Sequence, residues 1–184
     1  ISTGSASGEG AGGSVNLQLV NLLGSGRISA DGGSTAGSNH SAGGGGRIAL
    51  RVSGSIGLPA ANVHALGGDG YYGDGGHGTV FWLTPGQTHG TLVIDGQGRA
   101  FADDTTVLPA GLVFDDLELR GAARVVADAG VTVTDELRLS GGSRLVHSWR
   151  HEAGLVIDAA RVVVEAGSAI DASGRGYAGG NQGL

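Results

Sequence analysis

Three acidic doublets are the first candidates for chemistry: Asp103-Asp104, Asp115-Asp116 and Asp135-Glu136. Two carboxylates roughly 5 to 10 Å apart are what glycoside hydrolysis needs. Adjacent strands lie about 4.8 Å apart, so acids in matching positions would meet that spacing. Arg120, Arg124, Arg138 and Arg144 would supply the basic group that polysaccharide-cleaving enzymes also use. The plainer reading is that the acids end strands, accept turn N–H groups and face water. Arg124 and Arg144 fall in phase, as an outward ladder paired with acids would, at no more than about 1 kcal/mol per exposed pair. The plainer reading is the expectation, so no catalytic residue is assigned and the chain is not expected to be an enzyme.

Other groups point to binding. Asp69 and Asp74 sit in glycine–aspartate turns and are the calcium candidates, but two acids fall short of the six to eight oxygens that ion takes. His147 and His151 are four apart and flank Trp149 in a loop, with no Cys and no third ligand for zinc. No cofactor is expected, calcium being the one with candidate ligands. Tyr71, Tyr72 and Trp149 are loop aromatics that would stack on sugars or on a neighbouring subunit.

The elements that position these residues are short. Leu92-Val93-Ile94, Leu117-Glu118-Leu119, Leu137-Arg138-Leu139 and Val162-Val163-Val164 are apolar strands ending at Gly, Asp or Ser. No window keeps a sustained helical period with caps. Asp116 to Val126 aligns without a gap on Glu136 to Val146, an echo at 20 residues, and Arg161 to Ile170 repeats it after a longer interval that leaves room for a loop at 148–152. A period near 20 with glycine corners is the pattern of stacked coils.

Composition agrees. The chain has 184 residues, 39 Gly, 3 Pro, no Cys and no Met, and its basic residues are all Arg. Glycine is far above the roughly 7% norm, without a collagen period. Net charge is −6, with no basic run, so nucleic acid is not an expected partner. No stretch reaches the roughly 18 apolar residues of a membrane helix.

The glycine-rich parts share a motif: a strand ending in Ala, a glycine loop, then an exit strand. Arg27-Ile28-Ser29-Ala30-Asp31-Gly32-Gly33 is followed by Gly43-Gly44-Gly45-Gly46-Arg47-Ile48-Ala49-Leu50, and Val63-His64-Ala65-Leu66-Gly67-Gly68 by Gly75 to Trp82. Ile170 to Gly180 gives a first half and Gly10 to Leu17 a second half, as if the ends of successive units complete each other. These segments resemble very large, glycine-rich, repetitive bacterial surface proteins. The resemblance implies a right-handed parallel β-helix in a secreted or cell-surface protein of adhesive or structural role, and carries over no catalytic residue.

The expected fold is therefore all-β: a single right-handed parallel β-helix (β-solenoid) with glycine-rich loops over residues 1–184, of roughly eight to nine coils. Within it, 1–90 would be glycine-rich coils, 91–172 regular short-strand coils, and 173–184 a glycine-rich tail completed by the next repeat or subunit. The expected function is structural: a repeat or subunit of an extracellular filament, adhesin or surface layer, assembling end to end with copies of itself. Val15, Leu17, Ile170 and Tyr177 are the junction candidates. A glycan-binding adhesive module is the alternative, and a polysaccharide lyase or hydrolase the third reading.

Overall fold

The computed structural model describes residues 10–35, 40–99 and 105–177. Thirteen strands form: β1 (Ser14–Leu19), β2 (Ile28–Ser29), β3 (Arg47–Val52), β4 (Val63–His64), β5 (Thr79–Leu83), β6 (Thr91–Asp95), β7 (Thr106–Val107), β8 (Val113–Arg120), β9 (Arg124–Val126), β10 (Val131–Leu139), β11 (Arg144–Val146), β12 (Ile157–Val164) and β13 (Ala169–Ile170). A single 3-10 turn, Ala60–Asn62, is the one helical element among the described residues.

A seven-stranded sheet in the order β1-β3-β5-β6-β8-β10-β12 organises the molecule, flanked by a four-stranded sheet β13-β11-β9-β7 and a two-stranded sheet β2-β4. The 20-residue echo is spatial as well. Leu117 lies beside Leu137 and Leu119 beside Leu139 in the large sheet, and Val125 lies beside Leu145 in the smaller one. The longer interval to the third copy is absorbed by turns between Val146 and Ile157, and Leu137 still meets Val162.

The expectation of a single right-handed parallel β-helix does not hold. The large sheet is mixed, because β5 and β6 pair antiparallel. The reversal has a local cause at Thr84-Pro85-Gly86-Gln87. The Gln87 N–H donates to the Thr84 carbonyl at 3.1 Å, and Gly86 has φ 91°. Proline at the second position and a left-handed glycine at the third make this a type II turn. The Gln87 side chain fixes it further, accepting from the Thr84 N–H and hydroxyl at 3.0 and 2.9 Å.

The reversal also exchanges faces. Val80 and Val93 are opposite each other, and both belong to one core with Val15, Ile28, Ile48, Leu50 and Val63. Phe81 and Leu92, also opposite each other, belong with Ile94, Leu117, Leu119, Leu137, Leu139 and Leu145. Neighbouring residues of a strand point to opposite faces. The two cores therefore lie on opposite sides of one sheet: an N-terminal core under β1, β3 and β5, and a C-terminal core under β6, β8, β10 and β12.

The glycine-rich segments are not projecting loops where they are described. They run alongside each other and bond backbone to backbone. Gly43 and Gly46 donate to Gly33 and Ala30 at 3.0 and 2.7 Å, and Gly75 and Gly78 donate to Gly68 and Ala65 at 2.9 and 2.7 Å. Donors three residues apart reaching the same neighbour follow the three-residue period of a polyproline II strand, not the two-residue period of a sheet. The residues between them bond to other neighbours: Gly45 to Gly76, and Gly12 to Gly44, each at 2.8 Å. At several positions such a bundle leaves no room for a side chain. A Cβ on Gly45 would stand 2.5 Å from the Gly78 nitrogen.

Candidate functional site

The acidic candidates lie at structural joints. Asp103 and Asp104 fall outside the described residues. Asp115 lies on β8 opposite the register shift in β10, and its Oδ2 accepts the N–H groups of Thr88, His89 and Gly90, each at 2.8 Å. Thr134 Oγ1 donates to its Oδ1 at 3.1 Å. Burial alone would raise this carboxyl, but the donors from His89, Gly90, Thr134 and Thr88 outweigh it and hold Asp115 below the ordinary range. A general acid needs the opposite shift. Asp115 instead pins the reversing hairpin to the neighbouring strand.

Asp116 and Glu136 are parallel neighbours on the outer face of the C-terminal sheet half. Asp116 Oδ2 accepts from Thr91 Oγ1 at 3.2 Å. Glu136 is held by Arg138 Nε at 2.6 Å and by Arg161. Arg138 reaches on to Glu165 at 2.6 Å, Arg120 joins Asp95 and Glu118 at 2.8 and 3.3 Å, and Arg144 joins Asp171 at 3.1 Å. The carboxylates on Arg138 hold its guanidinium above its ordinary value, the hydrogen bond it donates to Glu136 being the largest cause. Asp135 lies at a bulge in β10, an extra residue between Val133 and Glu136 against both neighbouring strands.

A second cluster gathers on the loop around residue 148. Asp128 accepts the Ser148 N–H and hydroxyl, both at 2.6 Å. Burial pushes Asp128 upward, but those two bonds and the nearby His151 and His147 imidazoles leave it below its usual value. Arg175 donates to the His147 carbonyl at 2.5 Å, and Tyr177 donates to Glu152 at 2.9 Å. Trp149 is exposed and borders a recess of about 270 Å³ with Arg124 and Arg175. The Ser148 hydroxyl is turned to a carboxylate, not to a histidine, so it is not arranged as a nucleophile.

The remaining sequence candidates are separate. Tyr71 and Tyr72 are exposed and meet edge to face, centroids 5.1 Å apart. Asp74 Oδ1 accepts the Gly70 N–H at 2.9 Å, and the Asp69 N–H donates to Ser34 Oγ at 3.0 Å. No group of three or more metal-ligating side chains forms among the described residues. No helix among them is long and apolar enough to cross a membrane.

Of the junction candidates, Val15 is buried in the N-terminal core and Leu17 is half-buried against it, on the outermost strand β1. Ile170 is at the opposite end, on β13. There the C-terminal core stands open. Val162, Val164 and Ile170 are 44, 45 and 38% exposed. Their partners one strand inward, Leu137, Leu139 and Leu145, are at 0%. β12 is an eight-residue outermost strand. Val162 and Val164, which the sequence places in an apolar strand but not at a junction, join Ile170 in making this end apolar. Their signal was the third copy of the echo, Arg161 to Ile170.

A groove not foreseen from sequence lies where the two cores change faces. Its floor is the outer face of β1, β3 and β5, with Asn16, Arg47, Arg51 and Phe81, and its wall is the segment from Val107 to Leu112. Its volume is about 760 Å³.

No family model, no curated protein and no solved structure matches the chain.

Proposed function

We propose that this chain is a structural component of an extracellular filament, adhesin or surface layer, acting by association and not by turnover. The observation that carries this is the open end of the C-terminal core: a long edge strand, β12, beside an apolar rim formed by Val162, Val164 and Ile170. An unpaired edge of this length is a template for a further strand. Full burial of a side chain of this size is worth about 1.5–3 kcal/mol, so closing three half-open ones supplies a few kcal/mol beyond the new backbone bonds. The occupant that fits is another copy of the chain, whose own β12 edge carries the same need.

The acids support association over cleavage, since Asp115, Asp116 and Glu136 are all engaged by neighbouring donors. Sedimentation velocity over a concentration series, with electron microscopy of the same samples, tests the proposal. Assembly of the native chain, abolished in Val162→Lys/Val164→Lys with unchanged circular dichroism, is the expected result. A native chain that stays monomeric throughout, or a double variant that assembles equally well, overturns it.

A further inference from the structure

We propose that the groove at the face change binds a linear acidic glycan, a site separate from the assembling edge. The protein is acidic overall, at net charge −6. Yet no Asp or Glu is found among the described residues that line this groove, whereas two arginines are. Acids crowd the other face of the same sheet instead, where Asp95, Glu118 and Glu136 meet their arginines. The groove is thus a place on the described surface where arginines line a recess without carboxylates beside them, and it is larger than the recess of Arg124 and Arg175.

Arg51 is positioned in advance. Its Nη1 donates to Asn16 Oδ1 at 2.9 Å, and its guanidinium carbon stands 5.7 Å over the Phe81 ring. A guanidinium held by a ring and one amide keeps its other N–H donors for a planar anion such as a carboxylate. Arg47 is four residues earlier on the same strand and face, about 13 Å away along an extended chain. Two cations at that separation along one strand suit a polymer that carries repeated charges, not a single small anion.

The rest of the lining selects the polymer. Val107 and Leu112 are exposed on the wall and offer apolar contact to the C–H faces of sugar rings. A nucleic acid would want open aromatic faces for its bases. The one aromatic ring on the strand floor beside these arginines, Phe81, carries Arg51 over it.

The test is titration of the chain with short oligogalacturonates, neutral cello-oligosaccharides and oligo-dT. Binding of the oligogalacturonate is expected, weakening with salt and about tenfold or more weaker in Arg51→Gln, the scale of one lost charge-assisted contact. Ala49→Glu, which puts a carboxylate on the groove floor, is expected to abolish it, while Tyr72→Ala leaves it unchanged. Melting curves of each variant verify folding. In the unmodified chain, oligogalacturonate should shift the methyl resonances of Val107 and Leu112. No binding, equal binding of the neutral sugar, preference for oligo-dT, unchanged affinity in both groove variants, or unmoved methyl resonances would each overturn the proposal.

Discussion

Two adjacent glycines should respond oppositely to the same methyl group. Gly44 and Gly45 lie in the backbone-bonded bundle, and neither has the positive φ that disfavours alanine. At Gly45 the added Cβ runs into two backbone atoms, the Ala65 carbonyl oxygen and, at 2.5 Å, the Gly78 nitrogen. Those two atoms are themselves hydrogen-bonded at 2.7 Å. Neither neighbour is a side chain that can turn aside, so the segments must separate by roughly 1 Å to restore ordinary contact. Overpacking strain costs about 1–3 kcal/mol, and weakening one or two backbone bonds adds about 1 kcal/mol. The sum is about 3 kcal/mol. For a chain of this size that lowers the melting temperature by roughly 6–12 °C.

At Gly44 the nearest atom is the Gly76 carbonyl oxygen at 3.6 Å, an ordinary contact. Alanine there restricts the unfolded chain and adds about 0.4–1 kcal/mol of stability. Thermal and urea unfolding followed by circular dichroism compare Gly44→Ala with Gly45→Ala. If the two variants melt within about 2 °C of each other, the close-packed bundle is refuted.

Other outcomes follow from single sites. Asp115 is held below its ordinary 3.8, so its contribution to stability is present above about pH 4 and is lost as pH falls through the folded-state value. Asp115→Asn should therefore cost about 1–2 kcal/mol at neutral pH, a deficit that shrinks on acidification, measured as the difference in urea midpoints. Leu137→Ala, in the C-terminal core, should cost about 2–5 kcal/mol, and Val162→Ala on the open rim well under half of that, in the same assay at concentrations too low for association. Ala122 has φ 67° where the next copy of the echo places Gly142 at φ 83°. Ala122→Gly should relieve that strain and leave a net gain of about 0.5–1 kcal/mol, read from the melting temperature.

Part of this arrangement was visible in the residues. The 20-residue echo names strand partners, since Leu117 and Leu137, or Val125 and Leu145, occupy equivalent places in sequence and are neighbours in space. The face change was missed although its signals were present. Pro85-Gly86 is a turn dipeptide, and Val80-Phe81-Trp82-Leu83 and Leu92-Val93-Ile94 are apolar without alternation. Strands that are apolar on both faces are covered on both faces, and these two carry a core on each side. The 20-residue template hid this, because it presumes one inward face throughout. The glycine motif marked the recurring Ala30 and Ala65 but not their bonding, which depends on how closely backbones approach. Ala172, the third member of that series, is exposed and outside the bundle. The groove drew its residues from positions 16 to 51, 81 and 107 to 112, with no shared local pattern, so only the folded arrangement could bring them together.

The exchange of sides at β5 and β6 governs the symmetry of any assembly. A head-to-tail join of β12 to β1 would set the apolar rim of one copy and the N-terminal core of the next on opposite surfaces of the continued sheet, leaving the rim uncovered. Two copies related by a two-fold axis normal to the sheet, edge strand against edge strand, would bring both rims onto one surface and seal them together. Closure of that kind stops at a pair, so a longer polymer would have to recruit a second, chemically different contact.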